Sequence, residues 1–233
     1  MITCPQCSYN HKIVKNGHNK DGKQNYKCKN CKTQFLHSTD KKYRGRIKEY
    51  LIIAISMLQR GIGIRDISEC LKISKNTVLK LLNSIDIKLV PLQKKYKELQ
   101  VDELWSYVKY KSNKVWLIYA VCTETKEVVA YTFGKRNAAT VKKLYKQISE
   151  AGIEVEKFCF DNWKAFSQIL KKENIAIGKK YTTLIEGINC HLRHRISRLV
   201  RRTCCFSKKL SYHIKAIELV LQNMNLGFSW ARK

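Results

Sequence analysis

The spacing of apolar residues divides the chain into a helical part and an alternating part, preceded by a segment with little apolar content. Residues 1–40 are poor in aliphatic side chains and rich in Lys, Asn and Cys, so they cannot form a hydrophobic core of their own. Between Arg46 and Asn83, apolar residues recur every three or four positions, as on one face of a helix. With a break at 61–63 and a cap at Ser74, this pattern predicts helices over 46–60, 64–71 and 75–83.

A linker and then a different pattern follow these helices. Pro91 and a run of lysines predict a linker at 91–98. Beyond it, short alternating or apolar segments are separated by turns and by longer segments of helical spacing. The predicted strands are 99–109, 115–123, 126–132, 155–160 and 175–178, and the predicted helices are 137–151, 165–172 and 182–202. Three antiparallel strands followed by alternating helices and strands predict an α/β domain, 99–233, with a mixed five-stranded sheet.

The net charge points to a polyanionic partner. The chain has 46 Lys and Arg against 18 Asp and Glu, a formal charge of +28 and an isoelectric point near 9.8. A compact chain this basic repels itself, and nucleic acid relieves the repulsion through phosphate neutralisation. A ribosome-associated protein, or a generally basic proteome, is the alternative explanation. No apolar stretch has the length of a membrane helix.

Four of the ten cysteines form two closely spaced pairs, Cys4 with Cys7 and Cys28 with Cys31. Two CxxC pairs on separate turns complete a tetrahedral Zn²⁺ site, which is structural when all four ligands come from the protein. Such a site supplies the stability that the missing apolar core cannot. The alternative is a redox dithiol, but no βαβ unit surrounds the pairs. We therefore expect a Cys₄ zinc ribbon at 1–40, six other cysteines that stay reduced, and a cytoplasmic, nucleoid-associated protein without a membrane partner.

The three predicted helices have the arrangement of a helix-turn-helix DNA-binding domain, 41–90. Ile67, Leu71, Ile73, Val78 and Leu81 fit the buried positions. The turn carries Lys72, where Gly is commoner because a left-handed backbone is easiest there. The residues expected to face DNA from the third helix are Lys75, Asn76, Thr77 and Lys80. The alternative is an ordinary three-helix bundle with a solvated outer face.

Three carboxylates of the predicted α/β domain fall on elements that can meet. Asp102 lies on the first strand, Asp161 ends the fourth, and Glu186 follows 25 positions later on the last helix. Three carboxylates in a basic protein form a site for hard divalent cations, here Mg²⁺ with Mn²⁺ as a substitute. Two such ions activate a nucleophile and stabilise the leaving oxygen in phosphoryl transfer.

Each acid also has a structural interpretation. Asp161 is placed to cap the next helix, and Glu186 to pair with Arg193. Glu103 lies beside Asp102, but alternation directs it to the opposite face, so we expect it to be a surface residue outside the site. Arg193 lies seven residues after Glu186 on one helix face and is expected to hold a substrate phosphate.

In combination and in this order, these motifs resemble the transposases of the insertion-sequence-one family, a branch of the DDE transposases with a ribonuclease-H-like catalytic fold. The resemblance spans about nine-tenths of the chain. The matching segments are the two cysteine pairs, 61–82, 102–107, 129–134, 161–163, 180–186, Asn189, 192–193 and 206–208. Family members often divide the DNA reader and the catalytic part between two reading frames, whereas here they form one chain.

The resemblance implies a DDE-type transposase with Asp102, Asp161 and Glu186 as the catalytic triad and Arg193 as the basic residue that follows. It implies that residues 1–83 recognise terminal inverted repeats, and that a homo-oligomer on double-stranded DNA cleaves and joins element ends to target DNA. In the ribonuclease-H order, the strands carrying Asp102 and Asp161 are neighbours. The alternatives are a catalytically inactive DNA-binding regulator and a ribonuclease-H-like nuclease that cuts without joining.

Overall fold

The computed structural model describes residues 2–8, 10–19, 22, 24–36, 41–200 and 204–226, without the side chains of 41–48. It divides into two compact units, Met1–Tyr50 and Leu51–Lys233. The first contains an antiparallel three-stranded sheet of β1 (Ile13–His18), β2 (Gln24–Cys28) and β3 (Gln34–Leu36). Among its described side chains only those of Cys4 and Cys28 are buried. As the scarcity of apolar side chains predicts, the described residues of this unit form no aliphatic core.

Three helices follow where the apolar spacing predicts them: α1 (Lys41–Gln59), α2 (Ile64–Leu71) and α3 (Lys75–Ser84). The Ser74 side chain accepts a hydrogen bond from the backbone N–H of Thr77 at 3.0 Å and so caps α3. Lys72 ends α2 with φ 53° in the left-handed region, as expected for the turn. The apolar residues of these helices pack together, with Ile67, Val78 and Leu82 fully buried.

The described residues from 95 to 226 form a five-stranded mixed sheet with four α-helices. Its strands are β4 (Lys95–Tyr107), β5 (Lys114–Cys122), β6 (Val128–Gly134), β7 (Glu154–Phe160) and β8 (Ile175–Ile177). Its helices are α4 (Ala138–Glu150), α5 (Lys164–Ile169), α6 (Thr183–Arg195) and α7 (Leu210–Asn225). The strand order is β6-β5-β4-β7-β8, with β4, β5 and β6 antiparallel and β7 and β8 parallel to β4. The prediction of a mixed five-stranded sheet is confirmed, and β4 and β7 are neighbours.

Alternation along β4 directs successive side chains to two different cores. Leu99 and Val101 pack with α4 and α5 on one face. Leu104 packs with α6 and α7 on the other. Because the side-chain period of a strand is two, Asp102 belongs to the face of α6 and Glu103 to the face of α4. The two adjacent acids therefore meet different neighbours.

The predicted linker and the last predicted helix have different boundaries in the structure. β4 begins at Lys95, inside the predicted linker 91–98, because Tyr96 points inward and is buried between exposed lysines. The last predicted helix, 182–202, ends in the structure at Arg195. Ile196 has an extended backbone and a buried side chain, so its packing outweighs the helical spacing. The predicted end at residue 202 lies outside the described residues.

α7 has no counterpart among the predicted elements, and it connects the core on the α6 face of the sheet with the core of α1, α2 and α3. Its residues Ile217 and Val220 pack on the sheet, whereas Ala216 and Leu219 pack against α1, α2 and α3. The turn after α1 also approaches α6: a Cβ on Gly61 (φ 81°) would lie 2.8 Å from the carbonyl oxygen of Arg195. Only glycine fits this position without a shift of backbone. None of the helices in the described ranges is long and apolar enough to span a bilayer.

Candidate active site

A cluster of carboxylates lies where β4 and β7 run side by side. The two parallel strands pair Val101 with Phe160. Asp102 follows Val101 and Asp161 follows Phe160, so the backbones of the two acids lie side by side. One carboxylate oxygen from each of Asp102, Glu103 and Asp161 lies within 4.8 Å of the other two. Oxygens that share one octahedral Mg²⁺ at about 2.1 Å are about 3–4 Å apart. The cluster therefore fits a divalent cation after small side-chain adjustments.

Hydrogen bonds fix the orientation of the Asp102 carboxylate. Oδ2 accepts from the side-chain amide of Asn189 at 2.6 Å, and Oδ1 accepts from the backbone N–H of Glu103 at 2.8 Å. The fully buried Tyr119 hydroxyl donates to Oδ1 of Asn189 at 2.9 Å. Burial, with the nearby charges of Glu103 and Asp161, raises the pKa of Asp102 to about 7. A bound cation would offset this cost, because it favours the ionised carboxylate.

Glu103 is not the surface residue that alternation led us to expect. It does lie on the opposite face from Asp102, but only 7% of its side chain is exposed. Its Oε1 accepts from Nε and Nη2 of Arg136 at 2.8 and 2.5 Å. The Arg136 guanidinium lies 5.3 Å from the ring centre of Trp116 and 4.5 Å from that of Trp163. The expectation was wrong because these side chains cover Glu103, and strand alternation contains no information about them.

Asp161 has both of the roles that the sequence allowed, a cap before α5 and a member of the acidic site. Its Oδ1 accepts from the backbone N–H of Trp163 at 3.1 Å, so it stabilises the turn that leads into α5. It is at the same time a member of the carboxylate cluster. A carboxylate that holds its own turn is rigidly placed, which suits a metal ligand.

Glu186 is not among the three clustered acids. It lies in the exposed first turn of α6, and its Oε1 accepts from the Thr182 hydroxyl at 3.2 Å. It is one helical turn before Asn189, the residue that donates to Asp102. The helix thus brings Glu186 to the side of the sheet that Asp102 faces.

The guanidinium of Arg193 contacts the backbone. Nη1 donates to the carbonyl of Leu199 at 2.5 Å, and both Nη1 and Nη2 donate to the carbonyl of Trp105 at 3.4 Å. These bonds connect β4 with the segment after α6, on the same face of the sheet as Asp102. The structure thus adds a structural role for Arg193 that the sequence did not indicate.

The four paired cysteines converge in the first unit. One sulfur from each of Cys4, Cys7, Cys28 and Cys31 lies within 4.8 Å of all the others. The Cys4–Cys31 and Cys7–Cys28 sulfurs are 3.5 and 3.7 Å apart. Four thiolates about 2.3 Å from a tetrahedral Zn²⁺ are about 3.8 Å from one another. Hydrogen bonding with Thr33 lowers the pKa of Cys31 to about 6, which favours the thiolate that binds metal. The donor set and its spacing fit zinc.

The predicted DNA-facing residues of α3 share one exposed surface. All four side chains are exposed: Lys75, Asn76, Thr77 and Lys80. The opposite face of α3 carries Val78 and Leu82, which are fully buried. The helix therefore presents polar and basic groups to solvent, as a recognition helix does.

Residues 98–226 match the protein family described as IS1 transposase. This chain belongs to the IS1 transposase family. InsB of the insertion element iso-IS1n from Shigella dysenteriae is 38% identical over 118 residues, which are 51% of this chain and 88% of that protein. InsB of an IS1 element from Shigella flexneri is also 38% identical over 118 residues, which again are 51% of this chain and 88% of that protein. InsB of IS1 9 from Escherichia coli K12 is 37% identical and is covered to 70%.

Solved structures resemble the chain more distantly. The catalytic core domain of HTLV-2 integrase in complex with magnesium, in a trimeric form, matches with 18% identity and a TM-score of 0.39. The match covers 57% of this chain and 84% of that one. A simian T-cell lymphotropic virus intasome in complex with PP2A regulatory subunit B56 gamma matches with 16% identity, a TM-score of 0.36 and coverage of 63% and 56%. At these scores the likeness supports no conclusion about the chain.

The IS1 family match has a defined extent. It includes the carboxylate cluster, Glu186 and Arg193, because all lie between residues 98 and 226. It excludes the four paired cysteines and the helices α1, α2 and α3. Family membership therefore bears on the α/β part, whereas the roles of the cysteine site and of α3 depend on their own geometry.

Proposed function

We propose that this IS1 family protein binds the terminal inverted repeats of an insertion element and catalyses metal-dependent DNA cleavage and strand transfer. The observation that carries the proposal is the cluster of Asp102, Glu103 and Asp161 in a chain of net charge +28. Acids held this close repel one another, and a basic protein offers no general reason to assemble them. A divalent cation that they bind gives such a reason, and a polyanionic substrate explains the surrounding charge.

Asp102, Asp161 and Glu186 are proposed as the Mg²⁺ ligands. Asp102 is held by Asn189 and Asp161 by its own turn, so both carboxylates are positioned before a cation arrives. Glu186 approaches on α6 from the face that Asp102 occupies. Bound Mg²⁺, or Mn²⁺ in its place, supplies charge stabilisation of the attacking and leaving oxygens in phosphoryl transfer.

Other residues are proposed to bind and orient DNA. Arg193 is proposed to hold a substrate phosphate beside the cluster, in addition to its contacts with backbone carbonyls. Lys75, Asn76, Thr77 and Lys80 are proposed to contact the terminal repeats from α3. The proposed domains are the Zn²⁺ ribbon 1–40, the reader 41–90, the linker 91–98 and the catalytic domain 99–233, acting as a homo-oligomer in the cytoplasm.

A three-product assay tests the proposal. Purified full-length protein is incubated with the labelled end of its own element, Mg²⁺ and target DNA, and bound, cleaved and joined products are measured. Wild type is expected to produce all three. Asp161→Asn is expected to bind but neither cleave nor join, because the amide keeps the shape and loses the charge that holds the cation.

The matched control is Glu98→Gln. Glu98 lies on β4 like Asp102 and pairs with Lys157 at 3.2 Å, but it is outside the cluster. This variant should join DNA ends like wild type. Joining by Asp161→Asn at the wild-type rate would overturn the site. Binding alone by wild type would favour a regulator, and cleavage without joining would favour a nuclease.

A further inference from the structure

One carboxylate oxygen near the proposed metal site has no hydrogen-bond partner in the described structure. Oε2 of Glu103 is buried without a donor, whereas Oε1 accepts two hydrogen bonds from Arg136. A buried acceptor without a donor destabilises the folded state, and more so when it is charged. The fold holds this oxygen in place nevertheless, so its position calls for a partner that the protein itself does not supply.

The surroundings of Glu103 restrict what that partner can be. The Arg136 guanidinium holds Oε1 and is itself flanked by the rings of Trp116 and Trp163, which limits rotation of the Glu103 carboxylate. Glu103 contributes a carboxylate oxygen to a group whose other members, Asp102 and Asp161, are acceptors as well. Arg136 balances one of the three carboxylate charges. A cation is the partner that compensates the other two, because a neutral donor would leave them uncompensated.

We propose that Glu103 is a direct carboxylate ligand of the divalent cation that Asp102 and Asp161 bind. The proposal rests on the metal-dependent function proposed above and adds a fourth acid to Asp102, Asp161 and Glu186. One oxygen of Glu103 binds the ion while the other stays on Arg136, so the arginine positions the ligand. This is the arrangement in which outer partners orient the side chains that bind a metal.

The competing interpretation is that Glu103 only anchors Arg136. Under that interpretation the ion pair stabilises the packing of Trp116 and Trp163, and the metal site is complete without Glu103. The two interpretations differ for Arg136→Gln. If Glu103 is a ligand, loss of the arginine loosens that carboxylate but leaves its charge for the cation, so it should weaken binding less than loss of Glu103 itself. If Glu103 only anchors Arg136, the two losses should have the same effect.

Metal affinity measured without DNA separates them. Zinc-loaded full-length protein is titrated with Mn²⁺ by calorimetry, since Mn²⁺ competes poorly with zinc for thiolates. Glu103→Gln is expected to weaken Mn²⁺ binding by at least about 10-fold, because loss of an outer partner alone costs about 10- to 100-fold. Arg136→Gln is expected to weaken Mn²⁺ binding less than Glu103→Gln does, because it loosens the ligand but keeps its charge, and the control Glu98→Gln is expected to match wild type. Melting temperatures of all variants report folding.

The outcomes are distinguishable. Unchanged Mn²⁺ affinity in Glu103→Gln, or equal weakening in Glu103→Gln and Arg136→Gln, overturns the role of Glu103 while leaving the proposed function intact. Unchanged affinity in Asp102→Asn overturns the metal site and the proposed function together. If Glu103→Gln does not fold, Glu103→Asp serves instead. Its retained charge should preserve folding, while its shorter side chain should weaken Mn²⁺ binding if Glu103 is a ligand.

Discussion

Protonation of one buried histidine should destabilise the second unit in acid. His213 lies on α7 with no exposed surface, and its ring nitrogens contact the hydroxyls of Ser106 at 2.8 Å and Ser207 at 3.1 Å. The buried Arg198 guanidinium donates to the same Ser207 hydroxyl at 3.1 Å. Burial, and then the positive charge of Arg198, lower the pKa of His213 to about 4. The folded protein therefore holds this ring neutral.

The size of the effect follows from the two pKa values. An unfolded histidine has a pKa of about 6.5, so the unfolded state binds more protons between pH 6.5 and pH 4. The stabilisation is fully present above the unfolded value and is lost as the pH falls through this window. Between pH 7.5 and pH 4.5 the loss attributable to His213 is about 2.5 kcal/mol. A loss of this size is a large fraction of the stability of a typical domain.

Urea unfolding of wild type and His213→Gln at the two pH values measures this contribution. Tryptophan fluorescence is the probe, because all four tryptophans lie after residue 100 and report on the second unit. At pH 7.5 the glutamine variant should be less stable by about 1–3 kcal/mol, since it loses hydrogen bonds to the two serines. At pH 4.5 that difference should shrink or reverse by about 2.5 kcal/mol. A difference that stays the same at both pH values would refute the reasoning.

Three further predictions concern metals and DNA. Chelation of zinc, or Cys4→Ser, should unfold residues 1–40 and weaken DNA binding, while the tryptophan fluorescence of the second unit stays unchanged. Metal analysis that finds no zinc in protein purified without chelator would contradict this prediction. Asp102→Asn should raise the melting temperature of metal-free protein at pH 8 but not near pH 4. Burial raises the pKa of Asp102 to about 7, so the ionised carboxylate destabilises the folded state, and this cost exists only above the ordinary pKa of an aspartate. Lys80→Ala should reduce the slope of log K against log salt for DNA binding by about 1, and an unchanged slope would exclude a phosphate contact.

The elements that position the site were predictable wherever the signal was local. Apolar alternation and turn residues located the strands that carry Asp102 and Asp161, and the cap at Ser74 located α3 to within a residue. These signals lie within a few positions of the elements that they define, so they do not depend on contacts with distant segments of the chain. The pairing of β4 with β7 could also be anticipated, but only from the resemblance to a known strand order.

The signals that failed depend on contacts between distant segments. The predicted linker 91–98 includes Tyr96 and the lysines beside it, although the tyrosine is buried in the core. Its hydroxyl donates to Glu127 at 2.6 Å, 31 positions later. α7 is the exception, because apolar residues recur along it at helical spacing, a local signal, and yet no helix is predicted after residue 202. Its packing against both the sheet and the helices α1 to α3 makes the second unit compact.

The acids of the site differ in whether contacts within the protein are enough to stabilise them, and this difference is physical evidence about their roles. Glu186 lies in the first turn of a helix, where the helix dipole favours a negative charge, it accepts a hydrogen bond from Thr182, and it is exposed. A structural interpretation therefore suffices for it, and its place in the proposed triad rests on the family motif. Asp102 and Glu103 are partly or largely shielded from water next to Asp161, and the pKa values of both are raised by burial. Burying these charges together costs stability that the contacts with Asn189 and Arg136 offset only in part, because both pKa values stay raised. The strongest case for cation binding therefore lies at the end of β4.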